Sequence, residues 1–121
     1  MRASSGWRIE RLVLDTGESP VQSFLEGLSG EDRVNALALL KLLATAGNTV
    51  RMPHSKPLGA GLFELREGRV RIFYMFRPGR RVVLLAGLIK KRADIPSAVL
   101  KRVRQHQRTL EAADAREAGE A

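Results

Sequence analysis

The sequence contains no cysteine among its 121 residues, which excludes disulfide bonds, zinc–thiolate sites and thiol nucleophiles. It also lacks an apolar run near the ~20 residues that span a bilayer, and its N-terminal segment lacks the apolar core of a signal peptide. The absence of cysteine is compatible with a reducing compartment. We therefore expect a cytoplasmic protein without a membrane partner.

Acidic residues are scarce as well. There are 21 Lys and Arg against 13 Asp and Glu, which gives a net charge of +8 and a pI near 11.0. Residues 51–92 contain eleven Lys/Arg and two acids, a balance of +9, so this stretch supplies the whole excess. Such a concentration of charge indicates an anionic partner, and nucleic acid, an acidic protein and a membrane surface all fit. The alternative is that the charge only keeps a small basic protein soluble.

Local patterns predict a strand followed by a helical hairpin in the N-terminal part of the chain. Apolar alternation favours a strand over residues 7–14. Ser19 as N-cap and Pro20 at the first helical position begin a short helix. A second helix, with one apolar stripe, is expected over 31–46. The hairpin of these two helices would pack on one face of a sheet.

Three further strands are predicted in the cationic stretch. Residues 48–61 are rich in proline and glycine and are expected to form a loop. Strands follow over 62–66, 69–76 and 81–89, joined by tight turns. We therefore expect a small, mostly antiparallel sheet whose second face is concave and partly open.

A basic helix with one apolar stripe follows the sheet, and the small polar residues of 112–121 predict a flexible tail. The length favours a single domain over 1–121. The complete expectation is an α+β fold with the element order β-α-α-β-β-β-α.

Four segments follow one another in a distinctive order: KPL at 56–58, GLFELR at 61–66, VRI at 70–72 and LLAGLIKK at 84–91. Together they resemble the RelE/ParE superfamily of toxins, and most closely its HigB-like branch of phage-derived, host-killer-like proteins in type II toxin–antitoxin systems. The resemblance covers nearly the whole chain and implies a RelE-like fold. Two positions depart from the pattern: Ala86 replaces a histidine, and Ile95 a threonine, that many relatives carry.

The resemblance also implies a function. Relatives in the RelE and HigB branches are mRNA interferases that cleave mRNA in the A site of the 70S ribosome, without a metal or another cofactor. Their partner is a cognate antitoxin, usually a helix-turn-helix DNA-binding protein. ParE relatives share the fold but poison DNA gyrase, so the alternative is a non-catalytic, ParE-like gyrase inhibitor or a plain RNA-binding module.

Metal-free RNA cleavage needs a base for the 2′-OH, positive charge around the phosphorane and an acid for the 5′-oxygen. Arg71 lies mid-strand on the face opposite the apolar one, and its guanidinium suits a phosphate. The alternative for Arg71 is a structural ion pair with Glu64 on the neighbouring strand. Arg66 shares that face and fits either a phosphate contact or a scaffold role.

Proton transfer has three candidate residues. Lys56 fits a base, an RNA clamp or a solvated loop residue, since crowding by like charge can lower the pKa of a lysine. His54 has a side chain whose ordinary pKa suits proton transfer. Lys90 ends the last strand, beside Lys91. The predicted catalytic set is therefore Arg71, Lys56, Arg66, Lys90 and His54, with no metal ligands.

A second set of residues is predicted to contact RNA through charge or base stacking. The alternative is packing for the tyrosine and a solvated face for the helical arginines. The set comprises Lys91, Arg69, Tyr74, Arg92, Arg104 and Arg108.

Overall fold

The computed structural model describes residues 6–91 and 93–120. The segments with alternating apolar residues form strands of one five-stranded sheet in it. The strands are β1 (Arg8–Arg11), β2 (Ser55–Gly59), β3 (Leu62–Glu67), β4 (Val70–Arg77) and β5 (Arg81–Ile89). The helices are α1 (Pro20–Glu26), α2 (Gly30–Ala46) and α3 (Ser97–Glu120), with a 3-10 turn at Gly47–Thr49. The predicted α+β fold is confirmed.

The strand order across the sheet is β1-β5-β4-β3-β2, with β1 parallel to β5 and every other pair antiparallel. The mostly antiparallel sheet is therefore confirmed, but the loop predicted over 48–61 is wrong in part, because β2 lies inside it. Pro57 and Gly59 are tolerated there because β2 is an edge strand, where a missing N–H breaks no ladder. The pairing with β3 is irregular between these two residues.

The N-terminal hairpin forms as the local signals predict. The Ser19 hydroxyl accepts a hydrogen bond from the Gln22 amide, and Pro20 begins α1. The buried stripe of α2 includes Leu39 and Leu43. Both helices cover the sheet face that carries the first core, formed by Val21, Ala36, Leu39, Leu43, Leu65, Val70, Ile72, Tyr74, Val82 and Leu84.

The opposite sheet face is covered by α3 at its centre, so the face that was expected to be partly open is open only beyond this helix. A second core lies there, formed by Leu12, Leu62, Phe73, Met75, Val83, Leu85 and Val103. Val103 comes from α3, whose apolar stripe seals the centre of this face. Only the part of the face beyond α3 is left for polar residues, and it carries Glu64, Arg66 and Arg71.

α3 continues as helix through 112–120, the segment whose composition predicts a flexible tail. Asp114 forms an ion pair with Arg77 at the end of β4, which fixes the distal part of the helix to the sheet. The flexibility of the last residues stays a prediction. Across the described residues, none of the helices is long and apolar enough to cross a membrane.

Gly47 occupies a position that only glycine fits, because its φ is +53° and a Cβ there would overlap the indole of Trp7. We predict that Gly47→Ala lowers the free energy of unfolding by about 2–4 kcal/mol, from backbone strain and overpacking together. Urea unfolding followed by circular dichroism and by fluorescence of Trp7, the single tryptophan, measures this.

Gly27→Ala is the matched control. Its φ is −83°, and the added Cβ would meet carbonyl oxygens at 3.6 Å, an ordinary contact. This variant should change the free energy of unfolding by less than about 1 kcal/mol. Equal effects of the two substitutions would contradict the steric argument for Gly47.

Candidate functional site

The register of β3 and β4 places two arginines directly opposite each other. Arg66 and Arg71 are Cα partners, so their side chains leave the same face of the sheet as neighbouring like charges. Glu64 precedes Arg66 by two residues on that face. Its Oε1 lies 3.4 Å from Nε of Arg66 and 3.9 Å from Nε of Arg71. One carboxylate oxygen thus bridges both cations.

The three side chains differ in exposure: 4% for Glu64, 10% for Arg71 and 28% for Arg66. Nη1 of Arg71 donates to the carbonyls of Gly68 and Val70, at 2.8 and 2.9 Å. Its buried Nε has no hydrogen-bond partner among the described residues. Burial lowers the pKa of Arg71; the charge of Glu64 opposes this shift and that of Arg66 adds to it. A guanidinium that is fixed by two carbonyls and largely shielded from water is suited to bind an anion that reaches its exposed part.

An open cleft of about 290 Å³ lies above this pair. Its lining comprises Met52, Pro53, His54, Arg66, Glu67, Gly68 and Arg71. Nδ1 of His54 lies 3.9 Å from Oε1 of Glu67, and both side chains are more than two-fifths exposed. The structure therefore brings together three of the five predicted catalytic residues: His54, Arg66 and Arg71. The sequence reasoning missed Glu67 as a neighbour of His54, since the two only meet once β2 pairs with β3.

Lys56 lies on β2 directly opposite Glu64, on the face that carries the arginines. It is exposed and is not part of the cleft lining. Because Lys56 is part of a strand and not of a loop, the hydrogen bonds between β2 and β3 hold it at a fixed distance from the arginine pair.

Lys90 and Lys91 lie in a neighbouring hollow of about 530 Å³. Its other lining residues are Leu88, Ile89, Asp94, Pro96 and Val99. The hollow adjoins the arginine cleft, because Leu88 is the Cα partner of Arg71 and the Lys90 amide donates to the Arg69 carbonyl at 2.7 Å. The lysine pair is thus near the arginines but outside their cleft.

Three of the predicted RNA contacts are occupied elsewhere. Tyr74 is 1% exposed in the first core, and its hydroxyl lies 2.6 Å from Oγ of Ser55, so base stacking by Tyr74 is wrong. Arg104 donates to the carbonyls of Leu58 and Gly59 and thereby holds the β2–β3 turn against α3, so its predicted RNA contact would have to compete with these hydrogen bonds.

Arg69 forms a two-point ion pair with Asp32 of α2, at 2.6 Å between Nη2 and Oδ2, with Nε 3.4 Å from Oδ1. The hydrogen bond and charge of Asp32 raise its pKa. The predicted RNA contact of Arg69 would have to displace this pair. Lys91 and Arg108 are exposed. Arg92 lies outside the described residues.

In the described part of the chain, no three His, Asp or Glu side chains gather into a group that could hold a metal ion. The site combines two guanidinium groups that share a carboxylate, an imidazole beside the carboxylate of Glu67, and lysines nearby. Such a set can bind a phosphodiester and stabilise added negative charge on it.

Comparison with known proteins places the chain in a family. The family model described as "Phage derived protein Gp49-like (DUF891)" matches residues 23–108, and the chain belongs to this family. The phage-derived character of the predicted resemblance is thereby confirmed, while the HigB-like branch stays a prediction. Among curated proteins, none matches significantly. Among solved structures, the chain is similar to the toxin–antitoxin complex RelBE2 from Mycobacterium tuberculosis, with 25% identity over 74% of this chain and 94% of that chain and a TM-score of 0.45.

The buried hydroxyl pair gives a prediction for Tyr74. Tyr74→Phe should lower the free energy of unfolding by about 1–3 kcal/mol, because Ser55 is left buried without its partner. It should leave RNA binding unchanged, because the ring is not exposed. Urea unfolding and a filter-binding assay with an RNA oligonucleotide measure the two effects, and a selective loss of RNA binding would contradict the assignment to the core.

The same residue predicts a pH dependence. Burial raises the pKa of Tyr74, and the hydrogen bond between Tyr74 and Ser55 opposes this shift. The folded state therefore holds this proton more tightly than the unfolded chain, whose pKa is about 10. This contribution to stability is fully present below pH ~10 and is lost as the pH rises through the folded-state pKa. Unfolding measured between pH 9 and 11 should show a shallower decline for Tyr74→Phe than for the unmodified chain.

Proposed function

We propose that this chain is the toxin of a type II toxin–antitoxin system and acts as a ribosome-dependent endoribonuclease that cleaves mRNA without a metal. The family match and the motifs between residues 56 and 91 support the toxin assignment. The observation that carries the nuclease is the arginine pair on the floor of an open cleft, with an imidazole on the cleft wall.

In this proposal, Arg71 and Arg66 bind the scissile phosphate and stabilise the charge of the phosphorane. Arg71 is held from behind by two carbonyls, so its guanidinium is pre-oriented before RNA binds. His54 and Lys56 are the candidates for the base that removes the 2′-OH proton. Lys90, in the adjoining hollow, is the candidate donor to the 5′-oxygen. The products would be a 2′,3′-cyclic phosphate and a 5′-OH end.

The proposed partners follow from the same assignment. A cognate antitoxin, of the helix-turn-helix DNA-binding type, would neutralise the toxin, and mRNA on the 70S ribosome would be its substrate. Exposed cations outside the cleft, such as Lys91 and Arg108, supply the sequence-independent attraction to RNA that a net charge of +8 favours. The proposed location is the cytoplasm.

A second candidate function has one specific observation in its favour. Lys56 and the lysine pair lie outside the cleft that holds Arg66 and Arg71, so the cations spread over more surface than a small catalytic centre needs. That spread suits a non-catalytic binder, either a ParE-like gyrase inhibitor or an RNA-binding module. The two functions differ in the nucleic acid that is damaged after expression.

The nuclease predicts that expression of the chain alone arrests growth and that Arg71→Ala relieves the arrest. Loss of one charge-assisted phosphate contact should lower the cleavage rate at least about 100-fold, because the contact strengthens in the transition state. Primer extension on translated mRNA should show cuts with the unmodified chain and none with the variant.

Arg33→Ala is the matched control, since Arg33 is an exposed cation of α2, away from the cleft. It should arrest growth like the unmodified chain. Because Arg71 is buried, Arg71→Lys, which retains the charge, and a thermal unfolding curve distinguish lost chemistry from lost folding. Growth arrest without mRNA cuts but with gyrase-dependent DNA breaks would establish the second function instead.

A further inference from the structure

The two arginines of the cleft differ in what holds them. Arg71 donates to the carbonyls of Gly68 and Val70 and is almost fully buried. Arg66 is more exposed, and among the described residues its side chain has Glu64 as its polar partner, 3.4 Å away. Without the charge of Glu64, repulsion from Arg71 would turn Arg66 toward solvent, whereas the carbonyls would still hold Arg71 in place.

We propose that Glu64 is a positioning residue of the cleft: its buried carboxylate holds the Arg66 guanidinium beside that of Arg71, so that two cations meet one phosphate. This inference rests on the proposed function. Glu64 acts through Arg66 and not on the substrate, because a side chain that is 4% exposed has little surface for a ribose hydroxyl. The carboxylate also reduces the charge of the three side chains together to +1, which lowers the cost of placing Arg66 beside the buried Arg71.

A double-mutant cycle tests this dependence through single-turnover cleavage of mRNA on programmed ribosomes. Glu64→Gln keeps the shape of the side chain and removes its charge. We expect it to lower the rate about 10- to 100-fold, the loss that follows from one charge-assisted contact, and to resemble Arg66→Ala in size. The double variant should be no slower than Arg66→Ala alone, within about threefold.

Multiplying losses in the double variant would overturn the proposal, because Glu64 would then act independently of Arg66, for example as the base. An unchanged rate for Glu64→Gln would overturn it as well. Glu10→Gln is the control, since Glu10 forms an ion pair with Arg81, 3.1 Å apart, on the far side of the sheet from β3. It should leave the rate unchanged.

A readout without RNA separates this inference from the proposed function. In NMR spectra, the Nε–H signal of Arg66 should exchange slowly in the unmodified chain and rapidly in Glu64→Gln, while that of Arg71 stays protected. If the unmodified chain cleaves no mRNA but this difference is seen, the nuclease is wrong and the positioning of Arg66 stands. If the chain cleaves mRNA and the exchange rate of the Arg66 signal is the same in Glu64→Gln, only the proposed role of Glu64 is wrong. Should Glu64→Gln not fold, Glu64→Asp takes its place, and its shorter carboxylate should loosen Arg66 in the same direction.

Discussion

The ion pairs of the buried Glu64 carboxylate with Arg66 and Arg71 are the interaction that holds positive charge together on this face of the sheet. Antiparallel pairing forces Arg66 and Arg71 to face each other, and like charges in that position repel. Glu64 compensates this repulsion from within the same ladder, at 3.4 and 3.9 Å from the two Nε atoms. Removing one partner of a buried ion pair typically costs about 3–5 kcal/mol, so the carboxylate also supports the fold.

The second core explains why this charge cluster is buried at all. α3 covers the middle of the sheet face that carries Glu64 and Arg71, through Val103 and its apolar neighbours. The polar side chains of that face are therefore confined to the part beyond the helix, where the cleft lies. Confinement removes water from the guanidinium of Arg71, and electrostatic attraction to a phosphate is stronger where water is excluded. The same packing that stabilises the sheet thus prepares the cleft.

Much of the fold could be predicted from local patterns, and the exceptions share one cause. The cap and first turn of α1, the extent of α2 and the alternation of β4 depend on neighbouring residues, and they are as predicted. Strand β2 was not predicted, because its proline and glycine are acceptable only at a sheet edge. The covering of the second face depends on where α3 returns, which no local pattern encodes.

The site was also predictable where it depends on local patterns, and not where it depends on residues far apart in the chain. Alternation alone places Glu64, Arg66 and Arg71 on one face, and the structure agrees. Other arginines find partners far along the chain: Arg69 pairs with Asp32, 37 residues away, and Arg104 with the carbonyl of Leu58, 46 residues away. A count of cations cannot separate these groups, because every one of them adds the same charge.

That distinction changes the meaning of the net charge. Three arginines, Arg69, Arg77 and Arg81, each have an acidic partner on another element. Their charge is therefore already paired within the fold, and a ligand would have to compete with that partner. The two cleft arginines share the buried Glu64, and the other acid of the cleft lining, Glu67, lies beside His54. The two acids balance the arginines in number, but the guanidinium groups are fixed at one place in a concave surface. A polyanion is attracted by the whole basic surface, but a single phosphate is bound most strongly where cations are fixed in place and partly shielded from water. The position of the two guanidinium groups, rather than the total charge of the protein, makes this cleft the candidate site.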